Sequence, residues 1–269
     1  MTEMPRDPEG RITSEVRGTL LLVGIERVAK LNGFTPKMYD ELADALTRLD
    51  EDSALRVGVL FGHGDHTTAG LDLPKWSARF AKPDENTPGG RGTKRVDPVA
   101  LGRRCRKPIV TAVHGITFTI GIELMLAGDI VVAADDCRFN QLEPRRGIMA
   151  TGGATLRFVE RGGWGNGMYH LLINDEFDAH EALRCGLVQE VVPAGRQLER
   201  AIELAEKIAE LAPLAIQATK ASSRLYAAEG EAACVAALGS TQAALARTDD
   251  AKEGVASFVE KRPPVFRGR

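Results

Sequence analysis

The sequence predicts an α/β core that is followed by a purely helical C-terminal region. Up to about residue 195, short apolar runs alternate with helical patterns, and this alternation favours a sheet covered by helices. After that point the patterns are helical only, with Pro213 and Gly230 as breaks. We therefore divide the chain into a flexible lead-in (1–15), an α/β core (16–195) and a helical region (196–269).

The elements of the first half follow from local patterns. Residues 16–28, VRGTLLLVGIERV, contain apolar runs broken by glycine and predict a strand hairpin. Residues 35–52 predict a helix, because Thr35 can cap its start, Pro36 suits its first position and apolar residues follow at helical spacing. The run LRVGVLFGHGD, residues 55–65, predicts a buried strand that ends in a loop.

The next elements are a loop, two strands and a helix. Residues 81–107 are rich in proline, glycine and charge, which predicts a surface loop leading into a helix. PIVTAVHG, residues 108–115, predicts another buried strand, and residues 115–129 predict a turn and a helix. Residues 129–144, DIVVAADDCRFNQLEP, begin as a strand.

The composition is that of an ordinary globular domain. Hydrophobic residues make up 43% of the 269 residues, charged residues 27%, and the net charge is −2. We expect neither nucleic acid nor a membrane as partner, since the charge is nearly balanced and the apolar runs are too short to cross a bilayer. The N-terminus has no signal-peptide pattern, and the four cysteines form no Cys-x-x-Cys pair. We therefore expect reduced thiols and a cytoplasmic location.

Two carboxylates stand out as candidate catalytic groups. Glu123 lies within the apolar run GIELMLAG, and Glu143 follows the strand DIVVAA on a loop. Burying a carboxylate costs free energy and raises its pKa, which suits a general acid or base. A structural role at a helix boundary is the alternative for Glu123. Spacing alone does not establish that the two acids face one cavity.

Two glycine-rich junctions could supply hydrogen-bond donors. GHGDHTTAGLDL and HGITFTIGIEL each connect a strand to a helix. Free backbone N–H groups at helix starts attract negative charge, so two neighbouring junctions could bind one developing oxyanion. Neither junction matches a P-loop or a dinucleotide fingerprint.

Two other charged clusters have simple explanations. His63 and His66 lie near Asp65, but nothing supplies a third ligand, so we expect no metal. Residues 91–107 carry seven basic residues against Asp97. They form either a solvated loop or a surface that attracts an anionic ligand; they are Arg91, Lys94, Arg95, Arg103, Arg104, Arg106 and Lys107.

Six segments of the chain, taken in order and spacing, form a specific pattern: KLNGFT, TTAGLDL, KPIVTAVHG with GIELMLAGDIVVAADDCRF, QLEPRRG, DAHEALRCGLVQEVVP and DAKEGVASFVEKRPPVF. With this pattern the chain resembles the crotonase superfamily, specifically the enoyl-CoA hydratase/isomerase family. The resemblance runs from about Val16 to Phe266. The implied fold is a crotonase-like spiral of β-β-α repeats whose C-terminal helices serve oligomerisation, as a homotrimer or a dimer of trimers.

The resemblance also implies site residues. Glu123 and Glu143 match the family's two catalytic glutamates, while the backbone N–H groups of Leu71 and Ile120 match its oxyanion hole. Coenzyme A contacts are implied at Ala69, Phe258 and Lys261, and substrate-pocket positions at His114, Leu142 and Trp164. His114 also has a structural explanation, as a hydrogen-bonding residue near the end of a strand, and Trp164 could equally serve helix packing.

Three of these positions differ from the family pattern. Thr119-Ile120-Gly121 replaces a run of glycines, His114 replaces the common asparagine, and Leu142 replaces the usual proline. A β-branched residue at the oxyanion position either reshapes the acyl pocket or alters the turn.

The activity implied is hydration of an enoyl-CoA thioester, with coenzyme A as part of the substrate and no permanently bound cofactor. A Δ3-Δ2-enoyl-CoA isomerase is the alternative, since it would need only one of the two acids. A non-catalytic acyl-CoA-binding paralogue and a thioester hydrolase on the same scaffold are the remaining alternatives.

Overall fold

The computed structural model describes residues 7–83 and 94–269, and these residues form two sheets with helices packed around them. The strands are β1 (Arg11–Arg17), β2 (Leu20–Glu26), β3 (Val57–Gly62), β4 (Ile109–Val113), β5 (Ile116–Phe118), β6 (Ile130–Ala134), β7 (Arg138–Asn140), β8 (Phe177–Asp178) and β9 (Glu190–Val192). The helices are α1 (Pro36–Glu51), α2 (Leu73–Ala81), α3 (Ile120–Ala127), α4 (Ala154–Ile173), α5 (Ala179–Arg184), α6 (Gln197–Ala209), α7 (Pro213–Glu229), α8 (Glu231–Leu245) and α9 (Asp249–Glu260).

The chain alternates between the two sheets. The larger sheet has the order β1-β2-β3-β4-β6-β9, and the smaller has the order β5-β7-β8. Strand β4 joins the large sheet, β5 the small sheet, and α3 follows; β6, β7 and α4 repeat this order. This repeated order of two strands and a helix confirms the predicted spiral of β-β-α repeats.

The predicted hairpin is present, and its first strand begins earlier than expected. Strands β1 and β2 pair antiparallel from Arg11 opposite Glu26 to Arg17 opposite Leu20. The lead-in predicted over 1–15 is therefore too long, because residues 11–15 belong to β1. This strand, RITSEVR, is largely exposed at the edge of the sheet, and it shows little of the alternation that marks a half-buried strand.

Helix α1 begins where its predicted cap places it. The Thr35 hydroxyl accepts a hydrogen bond from the Met38 N–H at 3.2 Å, which satisfies one of the free donors of the first turn. Met38, Leu42 and Leu49 are fully buried in the hydrophobic core that α1 shares with β2 of the large sheet. The helical spacing of the apolar residues thus predicted the buried face.

The helix predicted to follow the loop before β4 is absent from residues 94–107. Buried Asp97 organises this segment as turns, because its carboxylate accepts hydrogen bonds from the N–H groups of Leu101 and Gly102, both at 2.8 Å. The Tyr39 hydroxyl also donates to it at 2.8 Å. Ala100 adopts a left-handed φ of 54°, which interrupts any helix.

The C-terminal helices differ in how they pack. Helix α6 lies on the large sheet and buries Ala201 and Ala205 completely. It therefore packs with the core, although the sequence places it beyond the boundary at residue 195. Helices α7 and α8 are fully described and contain no buried residue, and Val235 and Leu238 are exposed. The use of this region in oligomerisation stays a prediction.

Candidate active site

The two glycine-rich junctions lie side by side. Thr68 forms an isolated parallel bridge with Thr117, and its carbonyl accepts a hydrogen bond from the Phe118 N–H at 3.0 Å. Gly70, at a φ of +111°, lies so close to Thr119 that a Cβ would stand 2.5 Å from its hydroxyl oxygen. Only glycine fits this approach, so the loop before α2 and the start of α3 are held together.

The Leu71 N–H is free among the described residues. Phe34 and Leu71 form a parallel bridge in which the Phe34 N–H donates to the Gly70 carbonyl and the Asp72 N–H donates to the Phe34 carbonyl. In such a bridge the amide of the residue in between points to the opposite side. The Leu71 N–H thus faces away from Phe34, toward the side on which it could meet a ligand.

Ile120 is the first residue of α3, so its N–H has no partner within the helix. Thr119, which precedes it, has a φ of 48° and a ψ of −111°, a conformation that strongly favours glycine. This strained residue turns the chain into α3. The Ile120 side chain is 1% exposed and packs in the hydrophobic core beside β2 and α1. Within the described residues, therefore, the isoleucine side chain fills the core, and the unusual backbone angles of the turn belong to Thr119.

Glu123 is buried and held by backbone amides. Its Oε1 atom accepts hydrogen bonds from the N–H groups of Gly152 at 2.6 Å and Ala154 at 3.3 Å. A Cβ on Gly152 would lie 2.3 Å from Glu123 Oε2, so any larger residue there would displace the carboxylate. Burial, and after it the charge of Glu143, raises the pKa of Glu123 to about 8 against the lowering effect of the amides.

Glu143 lies at the start of a short 3₁₀ turn, Glu143–Arg146. Its Oε2 atom is buried, and among the described residues it has no hydrogen-bond partner. Burial raises the pKa of this carboxyl as well. The charge of Glu143 also raises the pKa of Glu123, so the pair favours a state that carries a proton at neutral pH.

Arg157 connects the loop that holds Glu123 to the segment before β4. Its guanidinium donates to the Gly152 carbonyl at 3.2 Å and to the Val99 carbonyl at 2.6 Å. Burial lowers the pKa of Arg157 to about 10, so the group stays charged at neutral pH. No local pattern singles out Arg157 or Gly152, although residues 147–155, GIMATGGAT, are rich in glycine.

Removing the Glu123 charge is expected to stabilise the protein increasingly as pH rises. The carboxyl titrates near 8 when folded and near its ordinary 4.5 when unfolded, so between these values the folded chain holds a proton that the unfolded chain has lost. Stability of the native chain then falls with pH by up to about 1.4 kcal/mol per unit. Urea unfolding of the native chain and of Glu123→Gln between pH 5 and 8 measures this difference.

The matched control is Glu199→Gln, which changes an exposed acid on α6. Its unfolding free energy should follow that of the native chain at every pH. A constant difference in unfolding free energy between Glu123→Gln and the native chain from pH 5 to 8 would contradict a raised pKa at Glu123.

His114 and Leu142 lie near the ends of the elements that carry the site. The His114 Nε2 atom is 2.8 Å from the Gly64 carbonyl, and its N–H donates to the Thr67 hydroxyl at 2.8 Å. These bonds tie the first junction to β4 and fit the structural explanation of this histidine. Leu142 is half-buried and directly precedes Glu143.

The other predicted site residues make no hydrogen bond to Glu123 or Glu143 within the described chain. Ala69 is half-buried, and its N–H donates to the Leu31 carbonyl at 2.9 Å. Trp164 is 71% exposed on α4, and Phe258 is 85% exposed on α9. Lys261, just after α9, is also exposed. Because Phe258 and Lys261 are exposed, their predicted contact with coenzyme A requires a ligand or partner that reaches this surface.

The basic segment before β4 is largely neutralised by α1. Arg95 pairs with Asp40, and Arg103 and Arg106 pair with the buried carboxylate of Asp50. These ion pairs reduce the charge available to attract an anionic ligand. Arg91 lies outside the described residues.

A group of possible metal ligands lies away from His63 and His66. Neither His63 nor His66 belongs to a group of three close ligand atoms in the described chain, whereas His170, Glu181 and Cys185 do. In residues 7–83 and 94–269, no helix is long and apolar enough to cross a membrane.

Comparisons with known proteins agree on one family. The Enoyl-CoA hydratase/isomerase family model matches residues 15–269. Enoyl-CoA hydratase EchA19 of Mycobacterium tuberculosis is 35% identical over 259 residues, covering 95% of this chain and 96% of the relative. The 2,3-dehydroadipyl-CoA hydratase of Escherichia coli is 31% identical, covering 93% and 96%. A crystal structure of a probable enoyl-CoA hydratase/isomerase from Mycobacterium abscessus superposes with a TM-score of 0.91 at 43% identity, covering 96% and 98%.

Proposed function

Because the chain belongs to the enoyl-CoA hydratase/isomerase family, we propose that it reversibly adds water across the 2,3 double bond of an enoyl-CoA thioester. The observation that carries this proposal is the pair of carboxylates formed by buried Glu123 and half-buried Glu143, both with raised pKa values. Hydration moves two protons, one from water and one to carbon, so it needs two such groups. The relatives named as hydratases support water addition as the reaction class.

The thioester carbonyl oxygen would accept hydrogen bonds from the N–H groups of Leu71 and Ile120. Both donors are free among the described residues. Leu71 directly follows Gly70 and Ile120 directly follows Thr119, and Gly70 and Thr119 are in close contact. Charge accumulates on this oxygen as the double-bond electrons move toward the carbonyl. Donors that are already fixed in place stabilise that charge without reorganisation.

The two acids would then transfer one proton each. Ionised Glu123 removes a proton from a bound water as its oxygen bonds to C3, and protonated Glu143 gives its proton to C2. The raised pKa of Glu123 keeps one proton on the free pair, and this proton must lie on Glu143 in the reacting state. The pair then holds one proton before and after the reaction. Because Glu123 Oε1 already accepts two amide hydrogen bonds, its Oε2 atom is the one available to the water.

Coenzyme A would bind as part of the substrate, with no permanently bound cofactor. The Ala69 N–H is occupied, which leaves its carbonyl as the backbone group for a coenzyme amino group. Phe258 and Lys261 are exposed after folding of one chain, so we propose that they contact the coenzyme of a neighbouring subunit in a homotrimer or a dimer of trimers. Leu142, beside Glu143, would form part of the acyl pocket wall.

A panel of enoyl-CoA thioesters with different chain lengths and branches tests this function. We expect loss of the conjugated enoyl absorbance with at least one member, and a preferred acyl group that defines the pocket. Double-bond migration without hydration would indicate the isomerase, and free thiol release would indicate the hydrolase. Calorimetric binding of coenzyme A without any reaction would indicate the non-catalytic paralogue.

A further inference from the structure

A group of possible metal ligands lies at the junction of α4 and α5. His170 is on the last turns of α4, Glu181 is on α5, and Cys185 directly follows α5. His170 and Cys185 are 6% and 3% exposed, while the Glu181 side chain is 28% exposed. The sequence separates these residues by eleven and four positions on two helices, so no short motif reveals the group.

The three ligand atoms have the spacing of a metal site. Glu181 Oε1 lies 3.0 Å from His170 Nε2 and 3.5 Å from Cys185 Sγ. The distance between His170 Nε2 and Cys185 Sγ is 3.7 Å. Ligands bonded to one tetrahedral zinc ion at about 2.0 to 2.3 Å stand roughly 3.3 to 3.6 Å from one another. A small adjustment of these side chains would therefore place all three on one ion.

The same geometry argues against a nucleophilic cysteine. In a catalytic triad the imidazole uses one nitrogen for the nucleophile and the other for the carboxylate. Here His170 Nε2 faces both Glu181 and Cys185.

The surroundings hold the imidazole in place and leave one side open. The His170 ring lies 4.2 Å from the Phe177 ring centroid and edge-on to Tyr169. A cavity of about 610 Å³ is lined by His170, Glu181 and Asn166 among others. His170 and Glu181 thus face the cavity, which provides room for a fourth ligand such as water, while buried Cys185 would bind the ion from the protein side.

Arg184 already places a positive charge against this group. Its guanidinium donates to both Glu181 oxygens at 2.6 Å and lies 3.4 Å from Cys185 Sγ. The Arg184 side chain is 58% exposed, so it can move aside into solvent. Its position shows that Glu181 and Cys185 attract a cation, and it predicts that arginine competes with a metal ion.

We propose that His170, Glu181 and Cys185 form a binding site for a divalent transition metal of the zinc type, with the fourth position open to the adjacent cavity. Nitrogen, sulfur and oxygen ligands together suit zinc better than the oxygen-preferring magnesium or calcium. The site would clamp α4 to α5. It involves neither Glu123 nor Glu143, so it stands independently of the proposed hydration.

Metal binding to the full-length chain tests this site. After removal of metal with a chelator, titration with Zn²⁺ should give one bound ion per chain, and Co²⁺ should produce a thiolate-to-metal charge-transfer band. Cys185→Ser should abolish the Co²⁺ band and weaken Zn²⁺ binding by at least about 10-fold, since even outer-shell changes cost 10- to 100-fold. The control Cys234→Ser changes a cysteine outside the group and should bind as the native chain does.

Arg184→Gln separates the proposal from a merely structural polar cluster. Removing the competing guanidinium should tighten Zn²⁺ binding several-fold, and this exposed substitution should leave the fold intact. The proposal is wrong if the native chain and Arg184→Gln bind no stoichiometric Zn²⁺. It is equally wrong if the Co²⁺ band persists in folded Cys185→Ser.

Discussion

Replacing Glu143 or Glu123 with glutamine is expected to lower kcat for hydration by roughly 100- to 10,000-fold, the range typical of a positioned acid or base. Each change removes one of the two proton transfers that water addition requires. Glutamine keeps the size of the side chain. At position 123 its side-chain carbonyl oxygen can still accept hydrogen bonds from the N–H groups of Gly152 and Ala154. The loss should therefore appear in kcat more than in binding of the thioester, as measured by steady-state kinetics.

The double variant and one control sharpen this result. Because the two acids act as a unit, the double variant should lose little more activity than either single variant. Glu199→Gln, on the exposed face of α6, should keep native activity. Loss of activity in only one of the two catalytic variants would contradict hydration and favour double-bond isomerisation.

Gly152→Ala is expected to lower kcat by at least about 100-fold, because a displacement of about 1 Å at a reacting group can cost that much. The added Cβ would stand 2.3 Å from Glu123 Oε2 and 2.6 Å from its Cδ atom. The carboxylate must then move, and the 2.6 Å hydrogen bond from Gly152 is lost or lengthened. Kinetics with the preferred enoyl-CoA, together with circular dichroism to verify folding, measure the effect.

Gly239→Ala is the matched control for this substitution. Gly239 lies within α8, and a Cβ there would meet nothing within 4 Å. Alanine should leave activity unchanged and slightly favour the helix. Native kcat in a folded Gly152→Ala protein would contradict the role given to the amide contact with Glu123.

The sequence predicted those parts of the fold that depend on local periodicity. Thr35 and Pro36 marked the start of α1 because capping chemistry acts over a few residues. Glu123 could be selected because a lone acid in an apolar run is costly without compensation. The core strands β3 and β4 were recognisable because strands buried on both faces are continuously apolar.

Features that depend on distant contacts were not predictable in this way. The turns around Asp97 replace the expected helix because a buried carboxylate collects amides that are four and five residues further on. Arg157 acts on carbonyls 58 and 5 residues away, a relation that no local pattern encodes. The ligands His170 and Cys185 likewise meet only because α4 and α5 pack together.

Incorporation of oxygen from labelled water is the direct test of water addition by Glu123 and Glu143. When the native protein reacts with its preferred enoyl-CoA in H₂¹⁸O, we expect a 3-hydroxyacyl-CoA that carries one ¹⁸O atom at C3. Glu123→Gln and Glu143→Gln should form this product at least about 100-fold more slowly. Consumption of the thioester without label at C3, or labelled product formed at the native rate by either variant, would contradict water addition by this pair of glutamates.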